Sequence, residues 1–368
     1  MAVSDNQALD LNFTSGLFDL VKKIKDDIEE AVVDIKNHPE DLYHENNVAL
    51  LRRLAFKGNN LFVNHLKKKT INGPIQIVAR REEFVPLDFV YTLPPPKKDA
   101  QLCTHAKEAL EEGACKKCYD HILSPAPHIC PFGFWCFSQV VERHRFGKGK
   151  DGAGDYRLQS EPITNRGPLN VLQETVYAST SKVEKESNGL RDRILKAITK
   201  NSLHVYEAQD WNSWSDLTSK HKPDSMILVV HIEKDDENDV DQLEIGDKQL
   251  IVQNSFDHVQ IGSPSSEHPP FIIVIGCETA SVENYGFDIS SQLITEGAAV
   301  VLSNFTKIRG RHAGPIVIKL VEYLKENAGK EISFGSIILK LRQYLLSKGI
   351  MVSLALVAHG DADWKIKT

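Results

Sequence analysis

The second half of the chain alternates short, dense apolar runs with helix-like segments, and this alternation limits the fold more than any other feature of the 368 residues. Residues 171–178, 203–208, 226–231, 271–276, 298–302 and 351–358 read as strands. Between them, 190–198, 216–221, 290–296, 315–324 and 334–346 carry apolar residues at helical spacing. Strands that are apolar throughout are buried on both faces, so the pattern predicts an α/β fold: a mostly parallel sheet with helices on both faces.

The first half reads differently. Leu17, Val21, Ile24, Ile28, Val32 and Ile35, then Leu50, Leu54 and Phe62, recur at helical spacing around a break at Asn37-His38-Pro39, which predicts a helical hairpin. Residues 75–78 and 84–91 read as a strand hairpin that ends at Pro94-Pro95-Pro96. Five of the six cysteines crowd into 101–145, which reads as loops around a short helix. A Gly- and charge-rich stretch near 147–167 reads as a linker and a natural site for cutting. The expected organisation is therefore 1–70 helical, 71–146 a strand hairpin with a cysteine-rich insertion, 147–168 linker, and 169–368 the α/β domain.

Charge and hydropathy exclude some partners. Lys+Arg 44 against Asp+Glu 50 leaves a formal charge of −6, so no overall basic field draws the chain to nucleic acid or anionic lipid. Lys67–Lys69, Arg80-Arg81 and Lys116-Lys117 are scattered and lack interleaved aromatic rings, which counts against direct nucleic-acid binding. No apolar run has the length to cross a bilayer, and Met1 to Asp10 lacks the order of a secretory signal, so the expectation is a cytoplasmic protein without membrane contact.

In a parallel sheet, reactive groups gather at the carboxyl ends of the strands. One apolar run ends in His231 and another in Gly276-Cys277, 46 residues further on. If both are parallel strands of one sheet, imidazole and thiol emerge at the same edge, as a Cys–His dyad requires. A nearby imidazole holds the thiolate or takes its proton during attack. Gly276 admits a close approach of backbone or substrate, and the Cys277 amide is placed to donate to an oxyanion. The competing reading is a buried strand-end cysteine and a structural histidine. His359, after the last strand, is a less supported partner for Cys277, and Trp211, Trp214 and Trp364 read as packing. Asp235, Asp236, Glu237, Asp239 and Asp241 read as a solvated acidic loop, with a lid favouring basic substrates as the weaker alternative.

The segment Ile275-Gly276-Cys277-Glu278-Thr279-Ala280, followed by Glu296-Gly297-Ala298-Ala299-Val300-Val301, resembles the CHAT family of caspase-like cysteine peptidases. The strand ending in His231 fits that family's catalytic histidine, and Phe84-Val85-Pro86-Leu87-Asp88 resembles its Ile-Pro-Trp-Glu strand. The resemblance implies a caspase-like fold and peptide-bond hydrolysis through an acyl-enzyme. Cys277 would be the nucleophile, His231 the proton acceptor and donor, and backbone amides would receive the oxyanion, with Gly276 and Ile232 as supporting residues. It also implies a protein substrate, an activating protein partner, and a role as a bacterial defence or cell-death effector. One departure stands out: relatives place Gly after the histidine, where this chain has Ile232, whose side chain narrows the approach, and then Glu233, read as a solvated loop carboxylate with orientation of His231 as the alternative. An inert CHAT-fold scaffold is the alternative this departure supports. A glutamine-amidotransferase-like hydrolase wants Gly two residues after the cysteine, where Thr279 stands.

Glu278, Arg309 and Arg311 are candidates to line the substrate cleft. The Arg309-Gly310-Arg311-His312 segment equally suits anion binding or plain capping charge. Cys103, Cys115, Cys118 and Cys130 form the second signal. One Cys-x2-Cys pair with two flanking cysteines suits a structural zinc with no open position for catalysis, with free thiols as the competing reading. His105, His121, His128 and Cys136 stand nearby as spare ligands.

Overall fold

The structure is a computed structural model that describes residues 2–4, 7–9, 15–34, 36–66, 68–69, 73–79, 87–118, 125–145, 166–186, 188–235, 240–247, 249–252, 258–262, 268–276, 289–306 and 308–368. The chain divides into two compact units, 1–162 with 338–355 and 163–337 with 356–368.

In the first unit, β1 (Ala2–Ser4) pairs antiparallel with β2 (Gln7–Leu9) and with β3 (Ile75–Ala79). The expected helical hairpin is present as α1 (Ser15–Val33) and α2 (Glu45–Asn60). Leu17, Val21, Ile24, Ile28 and Val32 form the buried stripe of α1, and Val48, Leu51, Leu54 and Ala55 that of α2. Lys57 Nζ reaches Asp27 Oδ2 at 2.5 Å across the pair. At the break, Asn47 Nδ2 donates to the carbonyls of Pro39 and Asp41.

The cysteine-rich stretch contains more regular structure than loops around a helix. β4 (Pro96–Leu102) and β5 (Ala126–Ile129) pair in parallel, with α3 (Ala106–Glu112) between them in sequence. After α4 (Trp135–Ser138), β6 (Val141–Arg145) pairs in parallel with β3. Residues 75–78 do not form the expected hairpin with 87–91. β3 takes β1 and β6 as partners, and Leu87–Phe89 is a 3-10 turn; Phe84, Val85 and Pro86 lie outside the described residues. Leu87, Asp88, Phe89 and Val90 are buried consecutively, which an edge strand with one wet face would not allow. Buried Asp88 instead binds the Arg143 guanidinium and, at 3.1 Å, Arg342 Nη2.

The second unit carries the parallel sheet. After β7 (Leu169–Asn170) come β8 (Glu174–Ser179), α5 (Lys182–Glu186), α6 (Leu190–Asn201), β9 (His204–Ala208), α7 (Trp211–His221) and β10 (Ser225–Val229). An antiparallel three-stranded sheet follows, of β11 (His231–Asp235), β12 (Val240–Ile245) and β13 (Gln249–Val252). Next are α8 (His258–Ile261), β14 (Phe271–Ile275), α9 (Ile289–Thr295), β15 (Val300–Asn304) and α10 (Ala313–Asn327); α11 (Phe334–Ser347) starts in this unit and from residue 338 belongs to the first, and β16 (Leu356–Gly360) and β17 (Ile366–Lys367) return to the second. Within this unit the strand order is β16-β15-β14-β10-β8-β9, parallel from β15 to β9, with β16 antiparallel on β15. The last strand is shorter than expected, because Met351–Leu354 is a 3-10 turn.

Val176, Ala178, Met226, Leu228, Ile272 and Val274 join one apolar cluster with Trp211 and Trp214 of α7, Ile261 of α8, and Ile289 and Leu293 of α9. The alternate residues Tyr177, Ile227, Val229, Ile273 and Ile275 point to the other face and are equally buried. Helices therefore cover both faces, and the expected mostly parallel α/β architecture is what the chain adopts. No helix among the described residues is long and apolar enough to cross a membrane.

Candidate active site

The carboxyl ends of three parallel strands lie level. Val229 of β10 is the Cα partner of both Ser179 on β8 and Ile275 on β14. The chain beyond β10 stays beside β14, since the Val230 N–H donates to the Ile275 carbonyl at 3.0 Å. His231 and Cys277 thus each stand two residues beyond the matched pair Val229 and Ile275. Cys277 and Glu278 lie outside the described residues.

Gly276 is buried where no side chain fits. A Cβ there would lie 2.7 Å from Val230 Cγ2 and closer still to the Val230 carbonyl. Its peptide is held by Asn304, at the end of β15. Asn304 Oδ1 accepts from the Gly276 N–H at 3.1 Å, and Asn304 Nδ2 donates to the Gly276 carbonyl at 2.6 Å and to the Thr306 carbonyl at 2.7 Å. The amide side chain supplies the pairing that a further ladder residue would otherwise give.

His231 opens β11 and does not close β10. Asp235 ends β11, Asp241 lies in β12, and Asp236, Glu237 and Asp239 lie outside the described residues. Glu233 is a strand position. Ile232 faces away from His231 and packs against the apolar cluster, so its side chain adds to the core.

The register makes Glu244 the direct partner of His231. Buried Glu244 accepts from the Thr180 hydroxyl at 2.5 Å and pairs with Lys182 Nζ at 3.0 Å. Burial alone would raise its carboxyl, but Thr180, Lys182 and His231 together hold it below the ordinary glutamate value. Glu244 is a site residue that sequence reasoning missed. Only the pairing of two strands separated by acidic residues reveals it.

His231, Gly276, Thr180, Lys182, Ile308 and Gly310 line one pocket at this edge. The Arg309–Arg311 segment therefore borders the site, through a 3-10 turn ahead of α10. The exposed Arg309 donates its N–H to His312 Nδ1 at 3.3 Å, and Arg311 is half-buried. Burial, aided by Arg311 and Arg309, pushes His312 down to about 4, so it is neutral at pH 7. His359 pairs with Val301, near the start of β15, and β16 runs antiparallel. It therefore sits toward the edge opposite Gly276, which removes it as a partner for residue 277. Trp211 and Trp214 pack edge to face at 6.3 Å and satisfy their N–H groups on the carbonyls of Leu243 and Gln260. Trp364 stacks under the Arg166 guanidinium at 3.6 Å. A larger cavity of about 910 Å³ opens at the amino ends of the strands, by Lys222, Asp224 and His268, away from the edge that carries His231 and Gly276.

In the first unit, Cys118 belongs to two groups of close donors, one with Cys103 and His128 and one with Cys115 and Cys130. Cys136 does not join them; it is buried near Asp88 and Arg342, and burial raises its thiol. His105 turns to Glu108 and Lys117, and His121 lies outside the described residues.

No protein-family model matches the sequence, and no curated protein matches it. Among solved structures, the chain is similar to the complex of pro- and mature domains of RgpB from Porphyromonas gingivalis, at 11% identity and a TM-score of 0.48, over 93% of this chain and 77% of that one. It is similar to the Arg-specific cysteine proteinase gingipain R at 10% identity and a TM-score of 0.45, over 94% and 76% of the two chains. Similarity to a chain of the Saccharomyces cerevisiae separase–securin complex, at 14% identity and a TM-score of 0.30, spans 56% of this chain and 12% of that one.

Proposed function

We propose that this chain is a cysteine endopeptidase of the caspase-like, CHAT kind, with Cys277 as nucleophile and His231 as general base and acid. The observation that carries this reading is the parallel register of Val229 with Ile275, because each is followed two residues later by one member of the dyad. The Cys-Glu-Thr segment and the Gly-Ala strand at 297–298 support it from the sequence.

In the reaction, the Cys277 sulfur bonds to the scissile carbonyl carbon as His231 takes the thiol proton. Collapse of the tetrahedral intermediate breaks the C–N bond, and His231 returns the proton to the leaving amine. Water, deprotonated by His231, then releases the acid from the thioester. Backbone amides after Gly276 and at Ile232 receive the oxyanion charge. Asn304 keeps the Gly276 peptide from rotating during this cycle, and Glu244 favours the imidazolium that forms at each proton transfer.

The same reading gives the chain a protein substrate, a protein partner that switches it on, and a role in defence or programmed death in a reducing, cytoplasmic setting. It takes 169–368 as the peptidase domain, 147–168 as a linker, 71–146 as a region with a structural metal centre outside the chemistry, and 1–70 as a helical docking region. Glu278, Arg309 and Arg311 border its substrate cleft. The test is proteolysis of a co-expressed proteome, read as new amino termini by mass spectrometry. Wild type generates fragments that Cys277→Ala and His231→Ala do not. Identical fragments from all three would leave only the scaffold reading.

A further inference from the structure

Four cysteines widely spaced in sequence meet at the ends of a two-stranded parallel pair. Leu102 and Ile129 are the last partners of β4 and β5, and Cys103 and Cys130 are the residues that follow them. The Cys103 N–H donates to the Ile129 carbonyl at 2.8 Å, which holds the two strand ends side by side. Cys115 and Cys118 come from the turn after α3, which connects the two strands. All four are buried.

The Cys118 sulfur is shared by two groups of donors, one with Cys103 and His128 and the other with Cys115 and Cys130. Cys118 Sγ lies 3.4 Å from Cys103 Sγ, and Cys115, Cys118 and Cys130 have sulfurs within 4.8 Å of one another. A tetrahedral zinc with Zn–S bonds of about 2.3 Å needs sulfurs about 3.8 Å apart. His128 Nε2 is 3.2 Å from Cys118 Sγ, within reach of Cys118 and Cys103. It is only half-buried, on the outer side of the thiol cluster.

A parallel pair of two short strands is marginal by itself, and the connection through α3 brings little apolar surface. An ion bound to both strand ends and to the turn between them closes this unit at the point where the ladder stops. Four thiolates select a soft cation and leave no open coordination position.

We propose that Cys103, Cys115, Cys118 and Cys130 bind one structural zinc ion as a tetrathiolate, and that His128 donates a hydrogen bond to the Cys118 sulfur from outside the coordination shell. That outer contact disperses thiolate charge and orients the ligand. The centre is independent of the peptidase reading, and either stands if the other fails.

The full-length chain, purified and dialysed against zinc chloride, is expected to hold one zinc per chain by elemental analysis. Cobalt substitution gives thiolate-to-cobalt charge-transfer bands of tetrathiolate intensity. His128→Gln keeps the full zinc content with weakened retention against a chelator, whereas the double variant Cys115→Ser/Cys118→Ser loses it. In wild type, without any variant, chelation exposes four additional thiols to a thiol reagent and lowers the melting temperature, and added zinc reverses both. The proposal is overturned by iron in place of zinc, by a Cys103–Cys118 disulfide in the protein purified under reducing conditions, by a thiol count that chelation leaves unchanged, or by loss of metal in His128→Gln equal to that in the double variant.

Discussion

His231 and Glu244 face each other as direct partners across β11 and β12. Opposite residues of an antiparallel pair share a face with Cβ atoms about 4.5–5.5 Å apart. The buried carboxylate therefore lies near the imidazole, and Thr180 and Lys182 hold it ionised.

Replacing Glu244 by Gln keeps the shape and removes the charge. Lys182 then loses a buried partner, and we expect a stability loss of about 1–3 kcal/mol at pH 7. The folded carboxyl is held below its ordinary value, so its contribution is present above that value and fades as pH falls through the lowered one. Melting temperatures of wild type and Glu244→Gln should differ near neutrality and converge in acid. A constant difference across the series would contradict the electrostatic origin.

Asn304→Asp tests the clamp on Gly276. The carboxylate still accepts from the Gly276 N–H but donates to neither the Gly276 nor the Thr306 carbonyl. Each buried group left without its partner costs about 1–3 kcal/mol. Denaturant unfolding should show that loss, and alkylation of Cys277 in the folded variant should slow relative to wild type. Unchanged stability would deny the clamp its role.

The α/β sheet was legible because strands covered on both faces carry no polar residue to interrupt them, as residues 271–275 show. The thiol cluster was legible because Cys-x2-Cys is a local spacing. Glu244 and Asn304 were not, since each acts through a partner 13 or 28 residues away and neither belongs to a pattern of its own. The pairing of β11 with β12 was not legible either, because it is defined by the ladder between 231–235 and 240–244. The direction of β16, which sets His359 apart from the edge that carries Gly276, is likewise a pairing property that an apolar run does not carry.

His312 predicts an acid transition. Its folded value of about 4 lies below the ordinary 6.5, so the unfolded chain binds the proton more readily. The neutral imidazole's contribution is complete above pH 6.5 and is lost as pH falls toward 4, on the order of 3 kcal/mol in all. His312→Gln should flatten the stability profile in that window, as read by urea unfolding at successive pH values.

Asp88 stands between two buried guanidiniums. Burial would raise its carboxyl, and Arg143 and Arg342 outweigh that and hold it low. Asp88→Asn removes the carboxylate charge that both arginines bind, and we expect about 3–5 kcal/mol of destabilisation, measured by denaturant unfolding. Neutral behaviour of that variant would show that the ion cluster is dispensable.

The most direct measurement is the pH dependence of Cys277 alkylation by iodoacetamide, followed peptide by peptide in wild type and His231→Ala. An unassisted thiol ionises near pH ~8.5. Pairing with His231 predicts that wild-type Cys277 reacts well below that pH and that His231→Ala returns it to the ordinary profile. Superimposable profiles for the two proteins would contradict the dyad.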